Sequence, residues 1–167
     1  MSKFSGRSWT FGDNIDTDVI VPGQYLKLTA EEVANHVMEG VDESFSTKVK
    51  QGDIVVGGKN FGCGSSRETA PAALKHAGVS AIISVFFARI FYRNAINIGL
   101  PVIEIKEAKE INEGDELVVN LKEGRVCNLT QNKVYYANPY PDMIIDILEH
   151  GGLLPLLKKS FGKTKNN

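Results

Sequence analysis

The chain has 167 residues, 43% of them hydrophobic and 23% charged, with a formal net charge of −1. That length fits one well-buried domain but not two ordinary ones, and the near-neutral balance offers no general attraction for nucleic acid or an anionic membrane. No apolar run reaches the length of a membrane span, and Met1 to Gly6 lack an apolar signal core, so a cytoplasmic protein is expected.

Residues 6–12 read as a first strand, with Trp9 and Phe11 on one face at period two. Residues 13–29 are acidic and turn-rich. Thr29, with Glu32 three residues on, predicts a capping box that opens a helix carrying Val33, Val37 and Met38 and ending at Gly40. Residues 41–51 read as loop or a short helical turn. Strand 53–57, a glycine-rich loop, helix 67–77, strand 81–85, helix 87–98 and strand 102–105 then alternate in the manner of parallel strands joined by crossover helices. Beyond 106 the pattern changes to short strands at 116–121, 126–129 and 133–137. Turns at Glu123-Gly124 and Gln131-Asn132 separate them, a β-meander. Pro141-Asp142 opens a helix with Ile144, Ile145 and Leu148 on one face and Gly151-Gly152 as its stop. Residues 152–157 are expected to add one docking turn, and Lys158 to Asn167 to fray. The expected fold is therefore a single α/β domain over 1–167, three-layered, with a partly parallel sheet and a small antiparallel meander.

The glycine-rich loop carries the chemistry. Gly57, Gly58, Gly62 and Gly64 let the backbone approach a ligand closely, and the run Gly62-Cys63-Gly64-Ser65-Ser66-Arg67-Glu68 adds two hydroxyls, a guanidinium and helix-start amides. These groups suit an oxyanion or a carboxylate. A phosphate- or nucleotide-binding module is the rival reading. Against it, the loop lacks a terminal Gly-Lys-Ser/Thr, and no acidic residue follows at the dinucleotide-binding offset. Cys63 and Cys127 are too few for a disulfide framework or for an iron–sulfur cluster, which takes three or four thiolates. His36, His76 and His150 sit singly, so no metal is expected on this chain.

The Gly-Cys-Gly-Ser-Ser-Arg-Glu run resembles the swivelling domain of the aconitase superfamily, in particular the separate small subunits of 3-isopropylmalate dehydratase and homoaconitase. Phe11 to Lys27, with its core Asp16-Thr17-Asp18, and Ile82 to Pro101 match in the same order, so the resemblance covers roughly residues 6 to 150. Thr69 departs from it, standing where family members often have His. The resemblance implies a hydro-lyase that isomerises a malate derivative by dehydration and rehydration. A 3-isopropylmalate dehydratase of leucine biosynthesis is the first choice, with homoaconitase or another alkylmalate (dimethylmalate, for example) dehydratase second. It implies a [4Fe-4S] cluster on a separate large subunit and a small di- or tricarboxylic acid as substrate. It assigns Ser65 as the base, Ser66 and Arg67 to the substrate, and Asp16, Thr17 and Asp18 to ordering the active-site wall. It makes Tyr25, Leu26, Lys27 and Leu28 the segment that reads the malate substituent.

Each residue also has a plainer reading. Ser66 suits a helix N-cap, whereas Ser65 has nothing obvious to cap. Arg67 can pair with a neighbouring acid, and Asp16 to Asp18 can be a turn held by side-chain-to-backbone bonds. Cys63 can be a packing residue or a reactive thiol. A solvated face is the favoured reading for Arg89, Tyr92 and Arg93, and the core for Phe86, Phe87, Phe91 and Ile96.

Overall fold

A computed structural model describes residues 2–163. Seven strands form one sheet in the order β4-β3-β2-β1-β5-β6-β7. They are β1 (Lys3–Thr10), β2 (Ile54–Val56), β3 (Ala81–Ser84), β4 (Val102–Glu104), β5 (Glu116–Asn120), β6 (Arg125–Asn128) and β7 (Lys133–Tyr136). β1 to β4 run parallel, whereas β5, β6 and β7 are antiparallel to their neighbours. The expected α/β class, partly parallel sheet and meander are all present. The meander is not a separate appendage, because β1 belongs to both halves. Its Ser8 to Thr10 register with Ile54 to Val56, while Lys3 to Arg7 register with Asn120 to Glu116. At the changeover Gly6 is required, since a Cβ there would run into the carbonyl of Gly52.

Burial explains the two halves. β2 and β3 are buried at every position, as strands covered on both faces must be, and β5 alternates with Leu117 and Val119 inward. Trp9 and Phe11 both pack edge-on against the fully buried Phe45, with centroids at 5.2 and 5.7 Å. The helices are α1 (Thr17–Ile20), α2 (Ala30–Val33), α3 (Phe45–Lys48), α4 (Thr69–His76), α5 (Arg89–Asn97), α6 (Asp142–Glu149) and α7 (Leu153–Lys163). Among the described residues no helix is long and apolar enough to cross a membrane.

Three expectations need correction. The capping box of Thr29 and Glu32 forms, but the helix stops at Val33 instead of reaching Gly40. Val33, Val37 and Met38 are buried as expected; however, Met38 adopts φ 67° and donates its amide to Ile20 O at 2.9 Å, so it cannot continue a helix. Phe86, expected in the core, is 43% exposed on the loop after β3. The C-terminal segment is not a single turn over 152–157, because α7 continues to Lys163 with half-buried Leu153 and Leu156 against the core. Of the tail expected to fray, residues 158–163 are helical and 164–167 lie outside the described residues.

Candidate functional site

Parallel strands deliver their following loops to one edge, the carboxyl end, where α/β sheets bind ligands. Here the segment after β1 and the glycine loop after β2 are stitched together. Asn14 N donates to Lys59 O, Gly62 N to Ile15 O and Thr17 N to Cys63 O, each at 2.8 Å. The Lys59 amide and then the Lys109 ammonium hold the Asp13 carboxyl below its usual range. Gly64 has φ 91°, and the Asp16 carboxylate lies 2.5 Å from where a Cβ would stand, so any other residue is excluded twice. The glycine reading of the loop is thus physical: it lets the Asp16 side and the Ser65 side of the site meet.

The side chains follow from that stitching. Asp16 accepts from Asp18 N at 2.7 Å and so caps α1, which turns Thr17 and Asp18 toward the glycine loop. Buried Thr17 donates its hydroxyl to Ser65 O at 2.8 Å and lies 3.3 Å from Ser65 Oγ. Ser65 Oγ is also 3.4 Å from Asp18 Oδ1. Arg67 Nη2 pairs with the same Asp18 oxygen at 2.6 Å, and Nη1 donates to Val21 O at 2.6 Å. Ser65 and Ser66 are exposed, and the amides of Gly64, Ser65 and Ser66 have no acceptor among the described residues. Unpaired amides, two hydroxyls and a guanidinium line one cleft, groups of the kind that bind a carboxylate or stabilise an oxyanion.

Three of the plainer readings meet definite contacts. Ser66 is not a helix cap: α4 begins at Thr69, its N-cap position is Glu68, and no side chain caps it. Arg67 is not a free fork, since Asp18 and the Val21 carbonyl already engage both terminal nitrogens, as the plainer reading allowed. Cys63 is half-buried, and burial, then the Asp16 charge, push its thiol up.

The cleft beside Ser65 has a volume of about 210 Å³ and is lined by Thr17, the Gly62–Arg67 loop and the first turns of α5. Arg89 is exposed, as expected of a solvated face, and with Ile90 and Asn94 it also lines this cleft. The missed signal was topological. A crossover helix that starts at the carboxyl end of β3 must present its first turn to the glycine loop. Tyr25, Leu26, Lys27 and Leu28 do not line the cleft; they follow Val21-Pro22, with Leu26 48% and Leu28 37% exposed. A larger cavity of about 270 Å³ between β4 and the β5–β6 strands contains none of the Ser65–Arg67 groups. The smaller cleft falls short of the roughly 300–1,000 Å³ that encloses a ligand.

Among the described residues no three His, Cys, Asp or Glu side chains are grouped to hold a metal ion. Cys63 lies in the site loop and Cys127 in β6, so the thiols of this chain do not fit an iron–sulfur cluster.

The aconitase C-terminal domain family matches residues 11–108. An isopropylmalate/citramalate isomerase small subunit from Methanocaldococcus jannaschii is 56% identical over 98% of this chain and 99% of the relative. A methanogen homoaconitase small subunit from Methanothermobacter thermautotrophicus is 57% identical over 89% of this chain and 87% of the relative. A crystal structure of a 3-isopropylmalate dehydratase from Methanocaldococcus jannaschii superposes with a TM-score of 0.92 at 44% identity, covering 99% of both chains.

Proposed function

The chain belongs to the aconitase C-terminal domain family, and from that premise we propose that it is the small subunit of a 3-isopropylmalate dehydratase. The observation that carries the reading is the convergence of Ser65, Thr17, Asp18 and Arg67 beside unpaired amides at the carboxyl edge of the sheet. The substrate is a small di- or tricarboxylic acid, and the domain works as one unit in the cytoplasm. Similarity does not separate isopropylmalate from the homoaconitase alternative, at 56% and 57%. The Tyr25–Leu28 segment favours isopropylmalate, because exposed Leu26 and Leu28 offer an apolar surface to a branched alkyl group.

In the proposed reaction Ser65 Oγ, as the alkoxide, takes a proton from the carbon beside a carboxylate. The C–H electron pair becomes the new double bond as the hydroxyl on the adjacent carbon leaves and, with a proton, becomes water. Addition of water in the opposite sense puts the hydroxyl on the neighbouring carbon. A serine alkoxide forms only where fixed donors stabilise it, and the Gly64 to Ser66 amides and Arg67 are such donors. Arg67 also binds a substrate carboxylate, exchanging its contact with Asp18 for the incoming group. Lewis-acid assistance to the departing hydroxyl belongs to a [4Fe-4S] cluster on a large subunit.

Purified alone, the chain is expected to turn over no malate derivative and to gain activity when joined to the cluster-bearing large subunit. Turnover by the isolated chain would sink the two-subunit reading. A reconstituted complex that prefers homoaconitase substrates would select the alternative.

A further inference from the structure

Tyr25 does not face the cleft. Its ring stacks on His36, with centroids 4.1 Å apart and planes within 13°, and its hydroxyl donates to Glu39 Oε2 at 2.7 Å. The other Glu39 oxygen lies 2.7 Å from His36 Nδ1. The hydrogen bonds from Tyr25 and His36 outweigh burial, which alone would raise it, and hold the Glu39 carboxyl below its usual range. An ionised carboxylate only accepts, so His36 Nδ1 carries the proton of that bond. One carboxylate thus takes both members of the stack, and the triangle Tyr25–His36–Glu39 is closed.

The triangle has a rigid mount. Glu39 lies between Met38, whose amide is bound to Ile20 O, and Gly40, where an added Cβ would come within 3.0 Å of Val19 Cα. Val19 and Ile20 belong to α1, the same turn that carries Thr17 and Asp18. Tyr25 passes the restraint forward, because its carbonyl accepts from Leu28 N at 3.0 Å, and the Thr29–Glu32 capping box fixes the far end. Between these ties only Leu26, Lys27 and Leu28 project outward.

We infer that His36 and Glu39 are positioning residues for substrate selection: they hold Tyr25, and through it the Leu26–Leu28 surface, at a fixed offset from the Thr17–Asp18 wall. The inference rests on the Tyr25–Leu28 segment meeting the malate substituent, as in the proposed function. Tyr25 serves as the anchor of that segment, and Leu26, Lys27 and Leu28 make the contact.

The test uses the complex with the large subunit and compares kcat/KM for isopropylmalate, a methyl-bearing malate and a malate with an additional carboxylate. Tyr25→Phe, which removes one oxygen, and Glu39→Ala are each expected to shrink the preference for isopropylmalate by about tenfold, within the range a misplaced apolar pocket commands. The double variant should match the larger single effect, since both changes break one link. His36→Phe, which keeps a ring to stack on, should retain more of the preference than His36→Ala. A uniform loss on all three acids, or an unchanged ratio, would overturn the inference while leaving the dehydratase reading intact. A wild-type complex inactive on every malate overturns both.

Discussion

The wall around Ser65 takes Thr17 and Asp18 from α1, and the Tyr25–Leu28 segment follows α1 along the chain, yet the two are built in opposite ways. In the wall, backbone bonds join residues 14–17 to 59–63, and Thr17, Asp18, Ser65 and Arg67 are committed to one another. The segment is tied by fewer bonds, through the Tyr25 hydroxyl and the amides of Leu26 and Leu28, and turns Leu26, Lys27 and Leu28 outward. In the proposed reading, the groups that serve every substrate are those fixed by many short bonds, and the groups that tell substrates apart are those held by a few. If that division is real, wall substitutions change turnover for all acids alike, and segment substitutions change the ranking.

The largest effect should come from Ser65→Ala, with turnover falling about 10² or more on every acid while the complex still assembles and binds substrate. Ser66→Ala is the control within the wall. Since Ser66 caps no helix, neither a large rate loss nor the ~1 kcal/mol of a lost cap is expected. Equal modest losses from both would make Ser65 structural. Arg67→Lys comes next. Lysine lacks the planar fork that holds the Val21 carbonyl while taking a substrate carboxylate in place of Asp18, so kcat/KM should drop on the order of tenfold, equally across the panel. A substrate-dependent loss would move Arg67 to the side of selection. Lys27→Ala should have the smallest effect: about fivefold against acids with an additional carboxylate and little against isopropylmalate. Were it to lower all acids together, the contrast between wall and segment would fail.

What could be read from the sequence was whatever lies within one contiguous run. The glycine loop, the Ser65-Ser66-Arg67 triplet and the Thr29–Glu32 capping box each carry their whole signal in a few residues. Asp16-Thr17-Asp18 was recognisable by resemblance, but its contacts were not, because Thr17 meets Ser65 across 48 positions. The turn at Met38, beyond the early end of α2, was hidden for the same reason, since its amide is bound to the Ile20 carbonyl 18 positions back. Arg89 looked solvated because the period of α5 marks an outer face without saying what stands opposite. His36 looked like a lone surface histidine until a turn brought it over Tyr25.

The double membership of β1 has a consequence for how the chain is made. Its second half needs β2, some 45 residues on, but its first half pairs with Glu116 to Asn120, and Leu121 N donates to Ser2 O. A ribosome therefore releases the first strand long before it releases the strand that completes that edge. Until then Lys3 to Arg7 offer open backbone donors and acceptors to any passing strand. Closure joins residues more than a hundred positions apart, a long-range pairing of the kind that forms slowly. Lys3 and Arg7 put positive charge at both ends of this waiting edge, a guard against pairing with the wrong neighbour.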